Sequence, residues 1–185
     1  MKIPNITVLI AALLAVGVAC KRQSAKPTQH VSGVVTFSEA GVTLEPATGW
    51  EPIDLSGMSQ TTDEYNACPP TLVSQSGIIE VLLLASKYTD LDMVAARFRA
   101  AFEAYPTAQR NSYLQQEIET PSGLRGLRIS YSQELANAGR MTSGRHYYFI
   151  VKNADKRCVA VKYVVETDHY TNAVIQMIER TLKLK

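Results

Sequence analysis

The strongest constraint on the fold of this chain is an apolar run at residues 77–86, GIIEVLLLAS. Between residues 78 and 85 both alternating sets of side chains are apolar, and Glu80 is the only charged residue among them. A strand with one solvated face would instead alternate between apolar and polar residues. We therefore expect residues 78–85 to form a central strand in a sheet that is covered on both faces.

Turn-forming residues divide most of the remaining chain into hairpins. They lie at residues 39–41, 75–77, 121–123 and 153–156, each between two β-rich runs. The segment ANAGRMTSG, residues 136–144, is interpreted as a flexible connection.

Two segments have helical periodicity. In residues 90–106, Leu91, Val94 and Phe102 recur at helical spacing, and Pro106 ends the pattern. A second helix is predicted after Asp168, which we expect to be its N-cap. The order of strands, helix, four strands and helix predicts an α+β fold with a largely antiparallel sheet.

The N-terminus has the layout of a signal peptide. Residues 6–19 are apolar apart from Thr7, and this segment is shorter than the roughly 17–25 residues that a transmembrane helix needs. We expect cleavage after residue 19, which leaves Cys20 at the new N-terminus. The segment resembles a bacterial lipoprotein signal, which implies that Cys20 carries a lipid, although Gly17 stands where that signal prefers Leu. An ordinary secretory signal is the alternative.

Residues 20–30 are polar and basic, and they are typical of a flexible tether. Lys21, Arg22 and Lys26 would lie among anionic headgroups if Cys20 is lipidated, while a plain solvated linker explains them equally well. Lys21 also stands where an Asp marks inner-membrane retention in some bacterial lipoproteins. The resemblance therefore favours an exported protein on the periplasmic face of the outer membrane over one on the inner membrane.

Residues 31–185 are enough for one domain, but hardly for two. The formal net charge is +2 for the whole chain, and it falls to +1 without Lys2. A dedicated nucleic-acid binder would normally carry a basic stripe or a large positive charge. The charge balance therefore predicts no nucleic-acid partner.

Cys68 and Cys158 are the two cysteines left once Cys20 is assigned to lipid. In an exported protein they favour a disulfide, which would close a loop of about 90 residues and stabilise the fold by roughly 4–5 kcal/mol. The alternative is that they are two separate, small, buried apolar side chains.

Three stretches carry a resemblance to a known superfamily. They are VTLEPATGWEPID, TPSGLRGLRISYS, and HYYFIVKNADKRCVAVKYVV followed by the helix DHYTNAVIQMIERTLKL. Over residues 31–185 the chain resembles the PsbP/Mog-one superfamily and its bacterial DcrB-like relatives. The resemblance implies a central antiparallel sheet with helices on its faces, an α/β/α sandwich, and a role in binding other proteins. It supplies no functional motif that can be mapped onto this chain.

No catalytic or cofactor motif is present in the sequence. It contains no Gly-rich phosphate loop, H-E-x-x-H, C-x-x-C, G-x-S-x-G or EF-hand spacing. His146 and His169 could bind a metal with Cys158 only if the fold brought all three together. We therefore predict no metal, no cofactor and no catalytic residues.

Two weaker catalytic patterns also have structural explanations. Ser143 with His146 would make a poor hydrolase pair, since the start of that strand is expected to face solvent. Glu117 and Glu119 lie on one strand face about 7 Å apart, which fits a glycosidase pair only loosely. A solvated polar face is the favoured interpretation.

A binding surface is predicted from polar and aromatic residues near the loops that flank the sheet. The candidates are Arg128, Arg140, Met141, Arg145, Trp50 and Tyr65. The basic residues would accept an anion or a protein, and scattered solubilising charges are the alternative. Exposed aromatic side chains are good anchors for a partner, but burial would exclude that role.

Together these patterns favour a lipid-anchored envelope protein that binds another protein as an accessory or assembly factor, without catalysis. The alternative is a periplasmic small-molecule-binding protein, or an enzyme without a clear motif, that uses a cleft between sheet and helix.

Overall fold

The computed structural model describes residues 33–53, 62–104, 112–137, 140–169 and 171–185. The predicted signal peptide at residues 1–19, the predicted lipidation site at Cys20 and the predicted tether that ends at residue 30 lie outside these ranges. None of the described helices is both long and apolar enough to cross a membrane.

The described residues form mainly antiparallel β structure with two α-helices. The elements in chain order are β1 Val35–Phe37, β2 Val42–Leu44, β3 Glu51–Ile53, β4 Tyr65–Ser74, β5 Gly77–Leu84, α1 Leu91–Ala104, β6 Leu114–Glu119, β7 Arg125–Asn137, β8 Arg140–Lys152, β9 Cys158–Glu166, α2 Asn172–Thr181 and β10 Lys183–Leu184. A seven-stranded sheet has the spatial order β3-β4-β5-β9-β8-β7-β6, and a three-stranded sheet has the order β1-β2-β10.

β5 lies inside the large sheet, between β4 and β9, as its apolar sequence predicts. On one face, Ile79 and Val81 are fully buried against the small sheet and α2. Phe37 of β1 and Ile178 of α2 belong to the same core and are also fully buried.

The opposite face of the large sheet is covered by α1. Leu82 and Leu84 of β5 share this second core with Val94 and Phe102 of α1 and with Ile129 of β7. Because successive side chains of a strand point to opposite faces, the apolar run of β5 supplies both cores.

The four predicted turns are confirmed. Residues 39–41, 75–76, 121–123 and 153–156 each lie in a connection between two antiparallel strands that are consecutive in the chain, and Gly77 begins β5. At the last of these turns, Asn153 Nδ2 donates a hydrogen bond of 3.0 Å to the carbonyl oxygen of Ala40. This bond holds the β8–β9 hairpin against the β1–β2 turn.

Two local predictions are wrong. Much of the predicted connection at residues 136–144 is strand, because pairing between β7 and β8 continues as far as Asn137 opposite Arg140. The N-cap of α2 is Thr171, whose side chain accepts a hydrogen bond from Ala173 N, and Asp168 belongs to a preceding 3-10 turn. Residues 136–137 and 140–144 are strand because they pair with a neighbouring strand, and no local pattern in the sequence predicts this pairing.

The one charge in β5 has a partner directly across the sheet. Glu80 lies opposite Lys162 of β9, and Lys162 Nζ donates to Glu80 Oε2 at 2.8 Å. The two side chains are only 9% and 8% exposed. A buried carboxylate needs a paired charge and hydrogen bonds to remain ionised at low cost, and Lys162 supplies both.

Removal of Lys162 alone should therefore be more damaging than removal of the pair. Lys162→Met is expected to lower the free energy of unfolding by about 3–5 kcal/mol, because it leaves the Glu80 carboxylate buried without its partner. The double variant Glu80→Leu with Lys162→Met should recover most of this loss, since no uncompensated charge remains. Chemical denaturation of both variants measures the difference, and equal losses would contradict this account of the pair.

Candidate functional site

The most accessible part of the large sheet is its terminal strand β6. The opposite terminal strand, β3, has three residues, and Pro52 at its centre lacks the N–H group that a strand partner would need. β6 has six residues and contains neither proline nor glycine. A terminal strand of this kind offers a row of backbone N–H and C=O groups for pairing with another chain.

The side chains of β6 are exposed on both faces of the sheet. Only Ile118 is partly buried, and Leu114 is 67% exposed. Leu114, Gln116 and Ile118 point to the side of α2, where Ile118 packs against the core. Glu117 and Glu119 point to the side of α1, so β6 has one acidic face and one face that carries two aliphatic residues.

Contacts at the N-terminal end of β6 hold it against α1. Tyr113, directly before the strand, packs its ring 4.9 Å from that of Phe102. Its hydroxyl donates to Gln115 Oε1 at 3.0 Å, and the Arg99 guanidinium lies 4.7 Å from its ring centroid. The start of β6 is therefore fixed by packing and by a cation–π contact.

The turn after β6 is fixed against the end of α2. Ser122 Oγ donates to the carbonyl oxygens of Glu179 and Leu182, at 3.2 and 3.3 Å. Glu179 belongs to the last turn of α2 and Leu182 is its C-cap, so neither carbonyl oxygen has an N–H partner within the helix. Since both ends of β6 are held, the strand is ordered before any partner binds, which lowers the entropic cost of binding.

Of the predicted basic surface, the structure describes the side chains of Arg128 and Arg145, and it does not bring these two together. Arg128 binds Glu179, with Nη2 and Nε at 2.6 and 2.9 Å from Oε1. Arg145 is exposed and lies opposite Ser132, four residues and about 13 Å along β7 from Arg128. Arg140 and Met141 belong to β8, and their side chains lie outside the described residues.

Glu179 also accepts a hydrogen bond from the Tyr147 hydroxyl at 2.8 Å. Burial, together with the Glu179 carboxylate, raises the pKa of Tyr147 far above its usual range. The carboxylate thus joins α2 to β7 and β8 through Arg128 and Tyr147. These bonds between α2, β7 and β8 favour a structural role for the three side chains.

The expectation that Trp50 and Tyr65 form an exposed partner surface is wrong. Trp50 is 4% exposed and Tyr65 is 8% exposed. Trp50 lies in the core beside α2, with its ring 6.4 Å from that of Tyr163 in an edge-on arrangement. Tyr65 lies in the core beneath α1, so the two aromatic side chains face opposite sides of the sheet.

The expected disulfide is absent from this fold, because Cys68 and Cys158 are both free and buried. Cys68 lies opposite Val81, and Val81 lies opposite Val161, which is three residues from Cys158. The two thiols therefore point to opposite faces of the sheet. Their strands are also two strand spacings apart, so the Cα atoms are separated by at least roughly 9.5 Å, which exceeds the limit of about 7 Å for a disulfide.

The Ser143 and His146 pair does not come together, nor does the metal set of His146, His169 and Cys158. Ser143 and His146 point to opposite faces of β8 because they are three residues apart, and Thr167 Oγ1 donates to Ser143 Oγ at 3.1 Å. Among the described residues, no group of three or more His, Cys, Asp or Glu side chains could hold a metal ion. Glu117 and Glu119 are both exposed on one strand face, as predicted.

A buried polar layer on the α1 side of the sheet was not predicted. His146 is 4% exposed and its ring stacks on Tyr131 at 4.8 Å. Neither of its ring nitrogens has a hydrogen-bond partner in the described structure, and neither does Nε2 of Gln133, which is 1% exposed. If β8 began near residue 145, His146 would lie at an exposed strand end, as the sequence predicts. The strand instead begins at Arg140, so His146 lies inside it.

No protein-family model matches this chain, and no curated protein is similar to it at a significant level.

The buried His146 should make the fold sensitive to acid. Burial, and the charge of Lys162, lower the pKa of His146 from 6.5 to about 3 in the folded protein. Between these two values the unfolded chain binds a proton that the folded chain does not bind, so stability falls as the pH falls. The loss attributable to His146 is about 1.4 kcal/mol per pH unit.

His146→Phe tests this acid sensitivity, because phenylalanine can stack on Tyr131 but cannot bind a proton. Its free energy of unfolding should decline less than that of the wild type between pH 6.5 and pH 4. Denaturant titrations at several pH values measure both slopes. Parallel slopes would show that His146 does not carry this part of the pH dependence.

Proposed function

We propose that this chain is a non-catalytic protein-binding domain of the bacterial envelope, and that the free edge of β6 accepts a strand from its partner. The observation that carries the proposal is the exposure of β6 on both faces, combined with the contacts that fix both of its ends. The order of elements supports an α/β/α sandwich like that of the PsbP/Mog-one and DcrB-like proteins.

Strand addition explains how such an edge would bind. The partner's backbone would hydrogen-bond to the outer N–H and C=O groups of β6, and alternate side chains would supply specificity. Leu114 and Ile118 favour apolar residues on one face of the incoming strand. Glu117 and Glu119 favour Lys or Arg on the other face.

The N-terminal sequence supports a location for this binding. A lipid on Cys20 would anchor the chain to a membrane, with the outer membrane favoured over the inner. The ten residues from Lys21 to His30, if flexible, span roughly 17 Å root-mean-square. The domain would then remain close to the periplasmic face, where its partner would be another envelope protein.

A periplasmic small-molecule-binding protein is the second candidate. It is favoured by His146 and Gln133, which hold buried polar nitrogens without partners on the α1 side of the sheet. A ligand with polar groups would satisfy these nitrogens. Native mass spectrometry of the purified protein would detect such a ligand directly.

Photo-crosslinking can test the edge of β6 in the intact envelope. A photoreactive residue at Leu114 should crosslink one protein, whereas the same residue at Val34 should not. Val34 is a matched control because it is 62% exposed, against 67% for Leu114, and lies outside β6. Mass spectrometry would identify the product.

The anchor is tested by adding Cys20→Ala to the Leu114 probe. Loss of the product would agree with a partner that is met at the membrane. The same products from Leu114 and Val34, or no product from either position, would contradict strand addition at β6.

A further inference from the structure

The exposed edge of β6 could also pair with the β6 strand of a second copy of this chain. Two β6 strands related by a two-fold axis run antiparallel. In such a pair, two residues directly opposite each other must both direct their backbone groups toward the partner strand or both away from it. Every second residue of β6 directs its backbone groups away from β7. Opposite residues therefore meet this condition only when their residue numbers differ by an even number.

Two of the permitted registers pair most of the strand. In the first, Gln116 lies opposite Gln116 of the second copy, Gln115 lies opposite Glu117, and Leu114 lies opposite Ile118. In the second register, Glu117 lies opposite Glu117 of the second copy. Because like charges directly opposite each other are destabilising, the charge pattern of β6 selects the first register.

The selected register also places complementary groups together. Leu114, which is 67% exposed, would contact Ile118 of the second copy, and this contact occurs twice because of the two-fold axis. Both residues lie on the α2 side of the sheet, where Ile118 already packs against the core. The pairing would therefore extend an existing apolar surface, and Glu119 would lie opposite Tyr113.

We propose that, before it meets its partner, this protein pairs with a second copy through β6 in the register centred on Gln116. The two seven-stranded sheets would then form one continuous sheet. The inference rests on the proposed function, since the same edge that accepts the partner strand would be protected by the second copy. Exposed strand edges are prone to uncontrolled pairing, and the partner would have to displace the second copy.

Single cysteines along β6 test both the pairing and its register. In the full chain, Gln116→Cys should form an intermolecular disulfide under mild oxidation, because opposite Cα atoms in an antiparallel pair are about 4.5–5.5 Å apart. Glu117→Cys is the matched control. Its two copies would be offset from each other by two residues, with their Cα atoms about 8 Å apart, and should not form a bond.

Gln115→Cys should likewise form no disulfide alone, yet a mixture of Gln115→Cys and Glu117→Cys should give a crosslinked dimer. The wild-type chain measures any crosslinking through its own cysteines. Leu114→Arg, added to Gln116→Cys, should abolish the crosslink, while Val34→Arg should not. Dimers from Glu117→Cys but not from Gln116→Cys would overturn the proposed register.

Failure of this inference can be distinguished from failure of the proposed function. If none of the β6 cysteines forms a dimer while the photoreactive residue at Leu114 captures a different protein, self-pairing is wrong and partner binding stands. If neither experiment gives a product, both proposals are wrong. If Gln116→Cys gives a dimer that an added partner prevents from forming, self-pairing and its displacement are both supported.

Discussion

The large sheet requires cover on both of its faces, and this requirement organises the rest of the molecule. β5 and its neighbour β9 present buried side chains to both sides. α1 covers one side, and α2 with the small sheet covers the other. The single buried charge of β5, Glu80, is tolerated because Lys162 lies directly opposite. At β6 the side chains are exposed on both faces, and for this reason we place binding there.

Elements encoded by local patterns could be predicted from the sequence. The central position of β5 follows from a run that is apolar on both faces, and α1 follows from the spacing of Leu91, Val94 and Phe102. Turn residues likewise locate the hairpins. The sequence did not predict how far β7 and β8 pair, because residues 136–137 and 140–144 are strand through pairing with each other rather than through a local pattern.

The predicted site depended on contacts between distant residues, and these could not be read from local sequence. Arg128 meets Glu179 from 51 positions away, so its apparent freedom to bind an anion disappears in the fold. The sequence separation of Cys68 and Cys158 permits a disulfide. In the fold, however, β5 lies between their strands and their side chains point to opposite faces of the sheet. Glu117 and Glu119 were correctly predicted on an exposed face. Their strand's position at the sheet edge depends on topology, which their sequence does not encode.

The central claim is that the outer backbone groups of β6 are open in the monomer and become paired on association. Residue-resolved hydrogen exchange measures this directly, with β5 as an internal reference that should be protected under all conditions. At low protein concentration, alternate amides of β6 should exchange rapidly, and at high concentration their exchange should become slower. The claim would be contradicted if the exchange rate of these amides did not change with protein concentration, whether they were protected throughout or exchanged rapidly throughout.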